Sequence, residues 1–449
     1  MDILMTGSGR HRTAMTWRVL LYLLLVTAPL AVRGLFGNSS GFDITTGIGL
    51  VLGLTGFAVL ALQPVLSARF RWIERPFGLD RMLRMHRVTG AVGVLFVIVH
   101  PVLLALGRGS SRLLVSLDLP WFLLAAKATL ALLVLFGAAA LLRSRLRIPF
   151  QLWFRCHSWL TPVILCGVFL HSYMAAVRFQ PVEMRILWFG LLGTGVFSHL
   201  HLALWRRLGG RLRPWKVGSV TGITHDVWDI QLVPPVGREV FEYLPGQFLF
   251  VTLLRGRGLP REEHPFTISS SPSAKGSISI TPKESGDYTR TTGKTMKGDR
   301  AAVMAPYGRF SHLLRPLSDR LVFIAGGIGI TPMMSMLRHM RDSGSEQKVL
   351  LLYANRTESD IAFLDELESM ASGEGGPMLE IVHVLSRPDP SWGGETGYLD
   401  RVRLERLVGD PEGSEFYVCG PPPMMKIAEK SLKDMGAGKD RIHVERFSL

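Results

Sequence analysis

Long apolar runs occupy the first 206 residues of this 449-residue chain. A helix crosses a hydrocarbon layer about 30 Å thick with ~20 residues, and six of the runs are long enough to do so. The pattern therefore predicts six transmembrane helices, at 15–34, 43–66, 85–106, 119–142, 152–177 and 183–206. The first run also resembles a signal peptide with cleavage near Ala31, but the five later runs favour an uncleaved helix.

Arginines mark alternate connections between these runs. The connection at 67–84 carries five arginines and that at 143–151 carries three, whereas 35–42 carries none. Basic residues concentrate on the cytoplasmic side of a membrane, so both termini are expected in the cytoplasm, with the chain in a cell inner membrane. The same distribution explains the net charge of +15 without a nucleic-acid partner. Three cysteines provide no disulfide framework, which suits a reducing compartment for the later residues.

The pattern changes after Pro214. Short β-like runs such as Phe248–Leu254 and Ser277–Thr281, broken by Gly and Pro, predict an antiparallel β-barrel to about residue 313. From Arg320 strands alternate with helices, which predicts a doubly wound α/β domain. The predicted fold class is a multi-domain membrane protein with a cytoplasmic tail, a six-helix bundle, a barrel and an α/β domain, at 1–14, 15–207, 213–313 and 319–449.

Four histidines lie in the third and fifth apolar runs with one repeated spacing. His86 and His100 are 14 residues apart, as are His157 and His171. Fourteen residues make nearly four helical turns and about 21 Å, so each pair lies on one helix face. The two runs cross the membrane in the same direction, which places His86 level with His157 and His100 level with His171. The two histidines at one level can together supply both axial nitrogens to a haem iron. His199 and His201 lack a matching partner and are expected at solvent or headgroups.

Two groups of motifs in the later half predict nucleotide cofactors. Pro245–Phe248, His264–Ser270 and Thr291–Thr292 carry hydroxyls and turns that fit a flavin-binding barrel. The segment Ala325–Pro332, with sequence AGGIGITP, follows a predicted strand and opens a helix, where glycines let a pyrophosphate approach the backbone. The segment Tyr417–Met424 follows another strand about 90 residues later, and Phe447 is placed to cover a flavin ring.

Together these residues resemble the ferric reductase and NADPH oxidase superfamily, and the later half is similar to ferredoxin–NADP reductases. The resemblance implies that His264, Phe266 and Thr267 contact FAD. From their places in the same strand and in the later turn, the further expected flavin contacts are Pro265, Ser269, Ser270, Thr291 and Thr292. The resemblance also implies that Gly327, Gly329 and Thr331 hold the nicotinamide nucleotide, with Cys419 and Gly420 beside the hydride path. From the same motifs, and from the strand before Arg356, the further expected nucleotide contacts are Gly326, Pro332, Pro421 and Arg356. Cys419 and Phe447 are the expected catalytic residues beside the hydride path, and His86, His100, His157 and His171 the expected iron ligands.

The expected function is transmembrane electron transfer from NAD(P)H through FAD and two b-type haems. The expected acceptor at the outer face is O₂ or chelated Fe(III). Two alternatives remain open: a donor module for a separate periplasmic redox protein, and a haem-free membrane-anchored flavin reductase. Arg356 follows a predicted strand, where its guanidinium could bind a 2′-phosphate. The nearby carboxylates of Glu358 and Asp360 would instead repel that phosphate. NADPH is therefore expected, with NADH also used.

Overall fold

The computed structural model describes residues 8–36, 43–143, 145–175, 177, 181–204, 208, 212–256, 258–315, 318, 320–373 and 376–447, with only the backbone at 8–12. The chain divides into two compact units near residue 206. The first is helical, and the second contains two β-sheets.

The membrane unit consists of six long helices and two short ones. Their bounds are α1 Ser8–Phe36, α2 Ile44–Ser67, α3 Arg71–Phe77, α4 Leu79–Gly107, α5 Arg112–Val115, α6 Trp121–Leu142, α7 Phe150–Ala175 and α8 Val182–Leu204. The six long helices are apolar enough to cross a membrane, which confirms the six predicted spans. The third span begins six residues earlier than predicted, because Gly78 has a φ of 80° that ends α3 and allows α4 to start at once. The predicted end of the sixth span lies outside the described residues.

Helix α2 lies at the centre of the bundle. Of its apolar window 61% is buried, against 6–22% for the other five long helices. Phe57 of α2 stacks on Trp188 of α8 with ring centroids 4.9 Å apart, and both side chains are fully buried. A helix enclosed by its neighbours can offer its backbone to side chains on several sides, which matters for the histidines described below.

The second unit begins with the predicted barrel. Its strands are β1 Trp215–Gly222, β2 Trp228–Val233, β3 Phe248–Leu254, β4 Glu263–Thr267, β5 Ile278–Ile280 and β6 Arg300–Tyr307. Neighbouring strands pair in the order β4-β3-β6-β1-β2-β5, all antiparallel, and a bridge between Ile268 and Ile280 joins the two ends. Inward apolar residues such as Ile230, Leu249 and Ile268 are fully buried and fill the barrel.

The α/β domain that follows is also confirmed. Its strands are β7 Arg320–Gly326, β8 Lys348–Asn355, β9 Met378–Leu385, β10 Glu395–Thr396, β11 Ser414–Cys419 and β12 Ile442–Glu445, and its helices are α9 Thr331–Asp342, α10 Leu364–Ser372, α11 Arg401–Val408 and α12 Pro422–Asp434. The sheet is parallel, with the order β10-β9-β8-β7-β11-β12. The second helix of this domain, which the sequence pattern predicts from Ala362, starts two residues later at Leu364 because Phe363 is left-handed, with a φ of 62°.

Candidate functional site

The four spaced histidines of the membrane unit face one another in two pairs. The ring centroids of His86 on α4 and His157 on α7 are 6.0 Å apart. Those of His100 and His171, on the same two helices, are 6.3 Å apart. The structure therefore brings together the residues that the 14-residue spacing placed at common levels.

One imidazole in each pair is fixed by a main-chain carbonyl of α2. Nδ1 of His86 lies 3.2 Å from the carbonyl oxygen of Gln63, and Nδ1 of His100 lies 2.7 Å from that of Gly49. A carbonyl can only accept a hydrogen bond, so Nδ1 carries the proton and Nε2 keeps its lone pair. Nδ1 of His157 and of His171 is buried without a hydrogen-bond partner in the part of the chain that the structure describes.

The geometry of both pairs fits a shared metal ion. A metal–imidazole bond is about 2 Å long, so two imidazoles on opposite sides of one ion have ring centroids roughly 6 Å apart. Phe136 and Trp153 stack on the His157 ring at 4.9 and 5.0 Å, which gives that pair an aromatic wall. One imidazole of each pair, His86 or His100, has its other nitrogen hydrogen-bonded, which is the usual state of a metal ligand. The residues of both pairs therefore fit a haem iron, which His86 with His157 and His100 with His171 would hold.

In the second unit, a candidate nucleotide site lies at the carboxyl ends of β7 and β11. These strands are hydrogen-bonded neighbours, and each leads directly into a helix, α9 or α12. Two helix N-termini therefore lie at one sheet edge, where exposed N–H groups favour an anion such as a pyrophosphate. The order of the sheet reverses between these two strands, which is where α/β sheets bind ligands.

The two loops at this edge pack backbone against backbone. A Cβ on Gly329 would lie 2.3 Å from the carbonyl oxygen of Cys419, and one on Gly326 would lie 2.7 Å from Met424 Sδ. Gly420 is equally restricted, at 2.9 Å from the nitrogen of Gly326. A Cβ on Gly327, by contrast, would meet nothing within 4 Å. The loops are thus closed toward each other, whereas Gly327 leaves the backbone open to a ligand.

Several predicted nucleotide residues have structural partners at this edge. The Thr331 hydroxyl donates to the carbonyl of Ile328 at 3.0 Å, and Pro332 occupies the first turn of α9, where its missing N–H costs nothing. Pro421 precedes α12 and touches the position of a Gly326 side chain. Cys419 is fully buried, and burial together with the nearby Glu445 charge raises the pKa of its thiol well above the usual range. Cys419 is therefore a neutral thiol, not a nucleophile.

The predicted flavin residues lie around β4 and the turn after residue 288. The His264 ring stacks on Tyr288 with centroids 3.9 Å apart, and the Arg255 guanidinium lies 5.3 Å from the centre of the Tyr288 ring. Arg255 is fully buried and donates to the carbonyl and hydroxyl oxygens of Thr291. Sequence reasoning missed Arg255; a basic residue directly after the apolar strand β3 was the available signal.

The remaining flavin residues differ in exposure. Pro265 and Phe266 are half-buried on β4, and Thr267 and Thr292 are buried. The Ser269 hydroxyl hydrogen-bonds the carbonyl of Ser279 and the hydroxyl of Thr281, and the Ser270 hydroxyl accepts from the Ser279 nitrogen. These serines hold the barrel together through their side chains, so their predicted cofactor contacts stay a prediction.

A polar network joins the barrel to α9. Ser335 donates to the carbonyl of Ser270 at 2.8 Å, and Arg338 donates to that of Ser269 at 2.8 Å. Arg338 also pairs with Glu366 of α10. The helix that starts at the glycine turn therefore also holds the end of the HPFTISS segment. Sequence reasoning missed this network, although Ser335 and Arg338 are three residues apart on a helix after a strong motif.

Arg356 and Phe447 lie at the same carboxyl edge of the sheet. Arg356 is exposed directly after β8, and its carbonyl accepts from the nitrogen of Arg387 at 2.7 Å. The Asp360 carboxylate accepts a hydrogen bond from the Thr357 hydroxyl at 2.8 Å and lies 3.9 Å from the Lys283 ammonium, so these two partners already balance its charge. Phe447 is 45% exposed, two residues after Glu445, which pairs with Cys419 in the sheet.

A multi-pass helical unit joined to a barrel and a nucleotide-type α/β domain defines a membrane-bound, NAD(P)H-dependent FAD oxidoreductase. Family models bear out each part: the ferric reductase like transmembrane component matches residues 52–168, the FAD-binding domain 215–310 and the oxidoreductase NAD-binding domain 323–430. The chain belongs to the family in which a ferric reductase-like transmembrane domain is fused to a ferredoxin–NADP reductase-type FAD and NAD(P) module.

Several curated relatives are, by their names, reductase subunits or electron transfer components of other enzymes. The stachydrine N-demethylase reductase subunit of Rhizobium meliloti is 34% identical over 46% of this chain, and the glycine betaine monooxygenase reductase subunit of Pseudomonas aeruginosa is 32% identical over 50%. The chain spans 59% and 62% of the lengths of these relatives. The cytochrome b5 reductase domain of Ulva prolifera nitrate reductase is a similar solved structure, with 25% identity over 52% of this chain and 96% of that one and a TM-score of 0.46.

Proposed function

We propose that the chain transfers electrons from NAD(P)H on one side of a membrane to an acceptor on the other, with FAD and two b-type haems as carriers. The observation that carries the proposal is the two facing histidine pairs inside an apolar bundle, His86 with His157 and His100 with His171. Ionisable residues in a membrane interior are costly and are usually functional. A repeated pair of imidazoles at ligand distance is what a two-haem path requires.

The chain's own residues bind and orient the cofactors. When bound, FAD would convert a hydride into single electrons, and the haems would carry single electrons. The N-termini of α9 and α12 hold the nucleotide phosphates, and the open side of Gly327 admits the backbone approach. Cys419 offers a neutral, buried thiol at the hydride path, and Phe447 covers the flavin ring. The four membrane histidines would hold the two haem irons through neutral imidazoles.

The acceptor in this proposal is O₂, giving superoxide, or chelated Fe(III). The described outer connections are short and contain no domain of their own in the part of the chain that the structure covers, so transfer takes place at helix ends. A second candidate is a separate periplasmic redox protein. The curated relatives favour it, since their names describe reductase subunits that serve another enzyme component.

The orientation and the nucleotide follow from charge. The arginine-rich connections at 67–84 and 143–151 favour a cytoplasmic location for both termini, in a chain that we assign to a cell inner membrane. Arg356 is exposed at the end of β8, and Asp360 is engaged with Thr357 and Lys283. An exposed guanidinium at that edge favours the 2′-phosphate of NADPH over the bare hydroxyl of NADH.

The testing experiment is a spectrum of the full chain in detergent, reconstituted with haem and FAD. Two b-type haems per chain, both reduced by NADPH, are expected. His86→Leu and His100→Leu are each expected to lose one haem, whereas His201→Phe, at a histidine that stacks on Phe70, is expected to keep both. A reconstituted wild type without haem would sink the haem proposal and leave a membrane-anchored flavin reductase.

The acceptor is identified on the same preparation. Superoxide and Fe(II) formation are measured separately during NADPH oxidation. Rapid output of either product assigns a small-molecule acceptor. Reduction of both haems with slow output of both products assigns the electrons to a separate redox protein.

A further inference from the structure

Helix α2 carries two main-chain acceptors with the same 14-residue spacing as the histidines. The carbonyl of Gly49 accepts from His100, and the carbonyl of Gln63 accepts from His86. The step of 14 residues forward along α2, from Gly49 to Gln63, therefore corresponds to a step of 14 residues back along α4, from His100 to His86. One rigid, central helix thus contacts both histidine levels, and it does so with backbone rather than side chains.

We propose that α2 is the positioning element for both haem ligands of α4, and that Gly53 gives it the room to act at the His100 level. This inference rests on the proposed haem ligation. The two carbonyls hold each Nδ1 proton, fix the ring orientation and present Nε2 to the iron. Second partners of this kind orient metal-ligating imidazoles and raise their basicity.

The close packing of α2 against α4 depends on glycines, which have no side chain. A Cβ on Gly53 would lie 2.7 Å from both Nδ1 and Cε1 of His100, which no real contact permits. A Cβ on Gly49 would lie 3.2 Å from the Leu103 Cβ, a tighter but tolerable distance. A Cβ on Gly47, six residues before Gly53 on the same helix, would meet nothing within 4 Å. The three glycines thus differ in how closely a Cβ would press on α4: most at Gly53, against the His100 ring, less at Gly49, and not at Gly47.

The two levels are not equivalent. The hydrogen bond from His100 measures 2.7 Å, whereas that from His86 measures 3.2 Å. A shorter hydrogen bond gives the imidazole more anionic character, which stabilises the ferric over the ferrous state. Loosening the contact between Gly49 and His100 is therefore expected to raise the midpoint potential of that haem and to leave the other unchanged.

The test compares Gly47→Ala, Gly49→Ala and Gly53→Ala in the full chain, reconstituted with haem and FAD. Haem per chain, the two midpoint potentials and FAD content are measured. Gly53→Ala is expected to lose one haem or to raise one midpoint strongly, with FAD and the other haem retained. Gly49→Ala is expected to keep both haems with a smaller upward shift, and Gly47→Ala is expected to match the wild type.

The outcomes separate this inference from the haem proposal itself. A wild type without haem refutes the haem proposal. A wild type with two haems and a Gly53→Ala variant with unchanged haem content and midpoints overturns only the role of α2. If Gly53→Ala does not fold, as judged by loss of FAD, the Gly49→Ala midpoint decides: an upward shift supports the inference and an unchanged value overturns it.

Discussion

Arg338 of α9 forms two hydrogen bonds with the Glu366 carboxylate of α10, of 2.8 Å from Nε and 2.6 Å from Nη2. Nη1 of the same guanidinium donates to the carbonyl of Ser269, at the end of the HPFTISS segment. The planar fork of arginine suits such a three-way contact, which lysine could not reproduce. The relationship ties the predicted flavin segment to the helix that opens the nucleotide site.

Arg338→Ala is expected to destabilise the second unit by about 1–3 kcal/mol, because the Glu366 carboxylate loses two short hydrogen bonds while keeping its 3.6 Å ion pair with Arg341, and the Ser269 carbonyl loses the Arg338 donor. Thermal unfolding of the full chain, followed by flavin fluorescence, measures the effect. The matched control is Arg401→Ala, whose exposed pair with Glu405 should contribute little. Equal melting temperatures for the two variants would contradict the prediction.

Gly329→Ala is expected to lower kcat/KM for NADPH by about 10- to 100-fold, because its Cβ would push the Cys419 loop away and misplace the nucleotide. FAD content should stay unchanged, since this edge belongs to the α/β domain. Steady-state kinetics with a soluble acceptor measures the effect. Gly393→Ala is the control, because a Cβ there meets nothing within 4 Å. Loss of FAD together with activity would point to misfolding instead.

Arg356→Ala is expected to reduce kcat/KM with NADPH by about 10- to 100-fold, the value of one lost charge-assisted contact to a phosphate. Because NADH carries no 2′-phosphate, kcat/KM with NADH should change by less than about 2-fold. The two cofactors are compared on one preparation of each protein. An equal loss with both nucleotides would mean that Arg356 does not read the 2′-position.

The buried His312 should make the free energy of unfolding depend on pH. Burial and the nearby His339 lower the pKa of His312 to about 3, whereas the unfolded chain has a histidine pKa of ~6.5. Below pH 6.5 the unfolded state binds the extra proton, so stability is lost as the pH falls from about 6.5 toward 3. Between pH 7.5 and 5 the loss from this residue is about 2 kcal/mol.

The variant His312→Gln should therefore lose about 2 kcal/mol less stability than the wild type over the interval from pH 7.5 to 5. Denaturant unfolding of the full chain at the two pH values measures the difference. Parallel losses in both proteins would show that His312 becomes protonated without unfolding.

The fold followed from the sequence wherever one strong physical signal dominated. Long apolar runs confined to the first 206 residues predicted the six spans, and the alternation of strands and helices after Arg320 predicted the parallel sheet. Boundaries were weaker: the start of α4 depended on the positive φ of Gly78, and the start of α10 on the left-handed Phe363. Backbone angles of this kind depend on tertiary packing, which a residue pattern does not contain.

The candidate site divides in the same way. Side chains with chemical signatures, such as the four spaced histidines and the glycines of the AGGIGITP turn, were identified from the sequence. The partners that use backbone atoms were not. Every residue has a main-chain carbonyl, so no residue type marks the two carbonyls, of Gly49 and Gln63, that contact the histidines. Arg255 was also missed: its position directly after an apolar strand was visible in the sequence, but its burial depends on acceptors across the barrel that the sequence does not show.

The 14-residue spacing shared by α2, α4 and α7 limits where insertions and deletions can occur in the evolution of the chain. One residue inserted into a helix turns everything beyond it by about 100°. An insertion between Gly49 and Gln63, or between the two histidines of α4 or α7, would turn one level away from its partners while the other stayed in place. Substitutions can accumulate along these three stretches, but insertions and deletions cannot, so length variation among descendants of this gene should be confined to the loops and to the helix ends beyond the two levels.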